Sequence, residues 1–220
     1  MDNQELAAYF DHTLLKPDLQ ATQIVQLCEE AKHYCFAAVC IPPCYVAQAA
    51  TLLAGTSIVV ATVIGFPFGY QKPEIKMAEA KAAISDGARE LDVVINLSAL
   101  LSENYAYVSD EIHQLTSLAH SYNIRVKWII ESGLLSKQLV QRCCAIAASA
   151  GVDFVKTATG YIGPGASVEQ VQLLRQCLPA NIAIKASGGI RSRQQAQALI
   201  DAGASRLGSS SAVAILNQPT

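Results

Sequence analysis

Three stretches decide how this chain is read: SDGARELDVV (85–94), SAGVDFVKTA (149–158) and DAGASRLGSS (201–210). Each has a helix-like run ending in a small residue or Asp, then a glycine, then a short β-branched or apolar run. Counting five residues on from each glycine gives Asp92, Lys156 and Gly208, at the C-terminal ends of three candidate strands. A weak internal repeat of this kind is the mark of a fold built from copies of one supersecondary unit.

Working outward, the same alternation extends along the chain. Candidate strands fall at Tyr9–Leu14, Ala37–Ile41, Ile58–Ile64, Glu90–Asn96, Val126–Glu131, Asp153–Ala158, Ile182–Ser187 and Ser205–Gly208. Helical segments are expected near 22–34, 44–53, 74–86, 98–122, 136–150, 167–177 and 193–202. Pro73 opens one of them where its missing N–H costs nothing. Gly87, Gly151 and Gly203 suit left-handed C-terminal caps. Such alternation predicts an α/β protein with a parallel sheet covered by helices. Roughly eight units in 220 residues fit a single (β/α)8 TIM barrel. The competing open, doubly wound sheet in its dinucleotide-binding form lacks a G-x-G-x-x-G after the first strands. No linker or low-complexity segment divides residues 1–220, which are read as one catalytic domain.

Composition narrows the function. Half of the residues (51%) are apolar, only 15% are charged, and the net charge is −2. That balance excludes disorder and lacks the basic excess of a nucleic-acid or anionic-membrane binder. No apolar run is long enough to span a bilayer, and MDNQELAAYF at the start does not read as a signal peptide. A soluble, cytoplasmic protein is expected. The seven cysteines, an odd number, form neither C-x-x-C nor a zinc-finger spacing, so reduced thiols packed as small hydrophobes and no metal site are expected.

Strands buried on both faces should be continuously apolar, yet four carry a charge: Asp92, Lys127, Lys156 and Lys185. The three lysines fall at equal intervals, about one βα unit apart, so successive units point ammonium groups at one shared space. One reading is structural: lysines snorkelling to the barrel mouth and pairing with Asp92 or Glu131. The other is amine chemistry. Neighbouring ammonium groups and desolvation both favour loss of a proton, and a neutral lysine forms a Schiff base with a carbonyl substrate, with Asp92 moving protons. The spacing does not choose the nucleophile among Lys127, Lys156 and Lys185.

The last two units carry a second signal. Lys185-Ala-Ser-Gly188-Gly189-Ile-Arg191 and Gly208-Ser209-Ser210-Ser211 run from strands toward helix starts. Glycine-rich loops after strands 7 and 8 are the customary phosphate site of this architecture. Arg191 is read either as a phosphate contact or as a solvated helix-start residue. Candidate pocket-lining positions are Lys127, Cys40, Thr157 and Gly208, although packing is the simpler role for Cys40. His12 reads as a structural histidine, and Gly65-Phe-Pro-Phe-Gly69 as a rigid loop at the mouth.

These motifs together resemble the deoxyribose-phosphate aldolase family of class I aldolases. The resemblance runs along nearly the whole chain: DHTLLKP (11–17), AVC (38–40), VIGFPFG (63–69), ELDVVIN (90–96), VKWIIE (126–131), FVKTATG (154–160), KASGGIR (185–191) and RLGSSS (206–211). It implies a (β/α)8 barrel that needs no metal or organic cofactor and reversibly cleaves 2-deoxy-D-ribose 5-phosphate to D-glyceraldehyde 3-phosphate and acetaldehyde. Carried over by position, Lys156 is the Schiff-base lysine, Lys185 the second lysine and Asp92 the carboxylate acting through a water. Gly188, Gly189, Ser210 and Ser211 become the phosphate loops. The partners implied are a sugar phosphate and an aldehyde, with a homodimer suggested. The chain departs from the family at Tyr70-Gln-Lys-Pro73, usually small and threonine-rich. It also ends at Thr220, where some members continue into a tail with a tyrosine, so any proton transfer by such a residue is expected to be absent here or filled by water.

Overall fold

The β-branched runs form eight short strands: β1 (Phe10–Thr13), β2 (Ala38–Ile41), β3 (Val59–Ile64), β4 (Glu90–Val94), β5 (Arg125–Ile129), β6 (Phe154–Lys156), β7 (Ala183–Ser187) and β8 (Arg206–Ser209). The computed structural model describes residues 1–219. Each strand pairs in parallel with the next, and β8 returns to β1 to close a barrel. Ten helices intervene among the described residues: α1 (Asn3–Ala7), α2 (Ala21–Tyr34), α3 (Val46–Leu52), α4 (Pro73–Ser85), α5 (Leu97–Leu101), α6 (Tyr105–Ser121), α7 (Lys137–Ala150), α8 (Val168–Cys177), α9 (Arg193–Asp201) and α10 (Ala212–Leu216).

Register explains what lies inside. Strand side chains alternate with a period of two, and laterally paired residues point to the same face. The pairs Ala61↔Glu90, Val63↔Asp92, Asp92↔Lys127, Lys156↔Lys185, Lys185↔Arg206 and Asp11↔Gly208 therefore place all these residues on the inner wall. One step away, Val39, Leu91, Val93, Trp128, Val155, Ile184 and Leu207 turn outward into the apolar layer between barrel and helices. Ala38, Cys40, Ala61 and Val63 form a small apolar cluster on the inner wall. Their modest size on β2 and β3 leaves room for the long charged side chains of β4 to β8.

The local signals operate as expected at several ends. Pro73 occupies the start of α4. Gly151 caps α7 in the left-handed region, and Gly87 and Gly203 adopt φ +108° and +113° just beyond α4 and α9. Two elements differ. The helix expected over 98–122 is broken into α5 and α6 at Glu103, whose φ is +58°, and Asn104 restarts it by accepting a hydrogen bond from the Tyr107 N–H. An additional helix, α1, is held by a capping box between Asp2 and Glu5. His12 faces outward, with Nε2 2.6 Å from Glu30 of α2.

Candidate active site

The inner wall carries a buried charge network of unusual density. Asp92 on β4 lies at its centre: Oδ1 accepts from Lys127 Nζ at 2.8 Å, and Oδ2 accepts from Lys156 Nζ at 2.8 Å and Lys185 Nζ at 2.7 Å. Lys185 also bonds Asp11 on β1. Below them Lys127 reaches Glu90 at 2.5 Å, and Arg206 reaches Asp11 at 2.6 Å and Glu90 at 3.3 Å. Arg125 closes the lower end against Glu90. The Phe154 ring sits beneath three of the cations, 5.5 Å from the Arg206 guanidinium carbon.

Each protonation state follows from its neighbours. Burial by itself would raise the Asp92 carboxyl, but the ammonium groups of Lys127, Lys156 and Lys185 outweigh it and hold it well below the usual carboxylate range. Asp11 is lowered in the same way, by Lys185, Lys127 and Arg206 against its burial. Burial works against the charge on Lys185, yet Asp11 and Asp92 reverse this and raise it above an ordinary lysine. Lys127 is raised likewise, against its burial, by Asp92, Glu90 and Asp11. The lysines converge as expected and pair with Asp92, one of the two partners the sequence offers; the other, Glu131, instead accepts from the Thr159 N–H at 2.6 Å, and Asp11 and Glu90 are the further carboxylates interleaved between the cations. The two carboxylate partners of Lys185 favour its ammonium form.

Above this network opens a cavity of about 270 Å³ at the C-terminal end of the barrel. Among the buried cations, Lys156 alone lines it; the residue is 3% exposed. Gly188, Gly189, Gly208, Ser210 and Ser211 line the same cavity, as do Lys16 and Arg191. The backbone N–H groups of Gly189 and Ser210 make no hydrogen bond within the described residues. One glycine is required here and a second is closely packed. Gly188 has φ +93° and a Cβ would stand 2.9 Å from the Gly165 backbone; at Gly208 a Cβ would lie 3.1 Å from Lys185 Cε.

Other expected pocket residues lie elsewhere. Lys127 is below the cavity, consumed by Asp92 and Glu90. Cys40 is on the inner wall, its Sγ 3.8 Å from Asp92 Oδ2, and burial pushes its thiol up. Thr157 points away from the barrel axis and links β6 to β7 by accepting from the Ser187 N–H at 3.0 Å. The Gly65–Gly69 loop does not line the cavity either; Phe66 packs its ring against Tyr161, which does.

Sequence reasoning missed Asp11, Glu90 and Arg206. Glu90 and Arg206 stand three residues after Gly87 and Gly203, with the same inward parity as the positions at five. The repeat therefore held the signal. Lys16 was missed because it belongs to a loop, where no periodicity marks direction.

Comparison with known proteins agrees with this geometry. The family model described as DeoC/LacD family aldolase matches residues 6–217. Deoxyribose-phosphate aldolase of Geobacillus sp. (strain WCH70) is 49% identical over 220 residues, covering 100% of this chain and 98% of the relative. That of Treponema denticola is 44% identical, covering 96% and 98%. The tetrameric deoxyribose phosphate aldolase of Aeropyrum pernix superposes with a TM-score of 0.92 at 35% identity, over 98% of this chain and 91% of that one. With a whole-length match at this identity and a closed barrel carrying the lysine and aspartate motifs on its inner wall, the chain belongs to the DeoC/LacD family of aldolases.

Proposed function

We propose that this chain is a deoxyribose-phosphate aldolase in which Lys156 is the Schiff-base nucleophile. The observation that carries the reading is that Lys156 reaches two places at once: the cavity and the Asp92 carboxylate. A lysine confined to the network has no access to substrate, and one on the rim has no proton acceptor.

In this reading the neutral Lys156 amine attacks the aldehyde carbon of the open-chain substrate and loses water to form a protonated imine. A base reached through Asp92 takes the proton from the C3 hydroxyl. The C2–C3 bond then breaks, its electron pair moves into the imine, and glyceraldehyde 3-phosphate leaves. Protonation of the resulting enamine and hydrolysis release acetaldehyde and restore the amine. Asp92 joins Lys156 to Lys185 through one oxygen, so the neighbouring ammonium keeps the carboxylate ionised and any proton passed to it is readily handed on, as a relay requires. The phosphate is held by Gly188, Gly189, Ser210 and Ser211, with Lys16 and Arg191 supplying charge. Binding that remote group orients the reacting carbons.

Borohydride reduction with acetaldehyde should leave an ethyl group on Lys156, located by mass spectrometry. Activity that survives this treatment, or full aldol activity in Lys156→Ala, would overturn the assignment. The same proposal places the enzyme in the cytoplasm as a homodimer. All seven cysteines are free, and no helix among the described residues is long and apolar enough to cross a membrane. Light scattering distinguishes a dimer from a tetramer.

A further inference from the structure

Asp11, Glu90 and Asp92 bring three carboxylates into the interior of the barrel, and Lys127, Lys185 and Arg206 bring three cations. Lys156 is a fourth cation with no carboxylate of its own, because the Asp92 oxygen it bonds is shared with Lys185. Arg125 approaches Glu90 from outside, but its side chain is 46% exposed and water screens it. An unbalanced charge in a buried cluster is costly, and the cheapest relief is loss of a proton. Of the three lysines, Lys127 pairs with three carboxylates and Lys185 with two, whereas Lys156 pairs with one.

We propose that Arg206 and Glu90, at the floor of the barrel away from the cavity, are positioning residues for the reaction: their opposite charges complete the balance that makes Lys156 the surplus cation. The inference rests on the reading of Lys156 as the nucleophile. Coupling over this span is physically reasonable. Lys156, Lys185 and Arg206 occupy one register row on adjacent strands, which at normal strand spacing separates the first from the last by about 10 Å. A unit charge at that distance in a protein interior moves a proton equilibrium by about one pH unit. The groups that face Lys156 are Asp92 from β4 and Lys185 from β7, with Asp11 from β1, Cys40 from β2, Lys127 from β5 and Arg206 from β8 around them; β3 offers only Ala61 and Val63. Lys16 and Arg191 lie across the cavity toward solvent.

The test is the pH dependence of Lys156 trapping by acetaldehyde and cyanoborohydride, read by mass spectrometry of the full chain. Arg206→Gln should move the midpoint upward by about one pH unit, and Glu90→Gln should move it downward by a similar amount. The double variant, which removes one charge of each sign, should return it close to the wild-type value, as should Arg206→Lys. A purely structural role predicts the reverse, with the double variant worse than either single change. Unmoved midpoints in the single variants, or a double variant displaced further, would overturn this inference alone. Failure to trap Lys156 in the wild-type chain would overturn the aldolase reading and this inference with it. If Arg206→Gln does not fold, Glu90→Gln carries the same test with the opposite sign.

Discussion

Replacing Asp92 by Asn separates the structural and chemical parts of the site. The side chain is fully buried and accepts from three ammonium groups, all at 2.7–2.8 Å. Asn keeps the shape but removes the charge, so three buried cations lose their common partner. Removing one member of a buried ion pair costs about 3–5 kcal/mol, and the whole fold is worth only about 5–15 kcal/mol. The variant therefore sits near the limit of stability at neutral pH. The sign of its pH dependence is diagnostic. In the wild type, Lys127 and Lys185 have pKa values raised above an ordinary lysine, so their stabilisation is intact below the unfolded value and fades only as pH rises through the folded one. In the variant, a lysine stripped of Asp92 is pushed below its unfolded value. The unfolded chain then binds more protons, and stability should rise by about 1.4 kcal/mol per pH unit as that lysine deprotonates. Urea melts from about pH 6 to about pH 9 should therefore climb for Asp92→Asn while the wild type stays nearly flat. Cleavage should fall by about 10²–10⁴-fold from loss of the proton-transfer group. A melt that is equally weakened at every pH, or cleavage that stays near the wild-type rate in the folded variant, would refute the reasoning.

Other expectations follow from the same geometry. Lys76 on α4 is fully buried, donating to Glu111 on α6 at 2.9 Å and to the Val94 carbonyl at 2.8 Å; Lys76→Met should cost about 3–5 kcal/mol in urea melts, and Lys76→Met with Glu111→Gln should recover much of it. Burial already raises the Glu111 carboxyl, so the single variant should lose less stability at acid pH, where Glu111 takes up a proton; an equal loss at both ends would contradict this. Gly208→Ala crowds Lys185 Cε and Ser187 Cβ at 3.0–3.1 Å, and should cost about 1–3 kcal/mol of stability and lower kcat. Lys16→Ala and Arg191→Ala should each raise KM for the phosphorylated substrate about tenfold with little change in kcat, and should leave an unphosphorylated deoxyribose unaffected in steady-state assays.

How legible this molecule is depends on whether a residue's environment leaves a trace in its neighbours along the chain. The barrel was readable because strand, glycine and helix recur at a near-constant period. Asp92, Lys156 and Lys185 stood out because a charge within an apolar strand has no inexpensive explanation. Helix α5 was less visible: Leu97–Leu101 and Tyr105–Ser121 are both apolar enough to read as one helix, and the break at Glu103 depends on a left-handed backbone at a residue with no special propensity for it. Glu90 and Arg206 were harder still. Each begins its strand, where a charge normally meets solvent, and only barrel closure turns them inward on one another. The pairing of Asp11 with Lys185 joins residues 174 positions apart. A linear reading finds the cations because they violate strand patterning. It finds Asp92 in the same way, but Asp11 and Glu90 emerge as partners of Lys185 and Lys127 only once β8 is laid against β1 and the closed barrel interleaves carboxylates between the lysines.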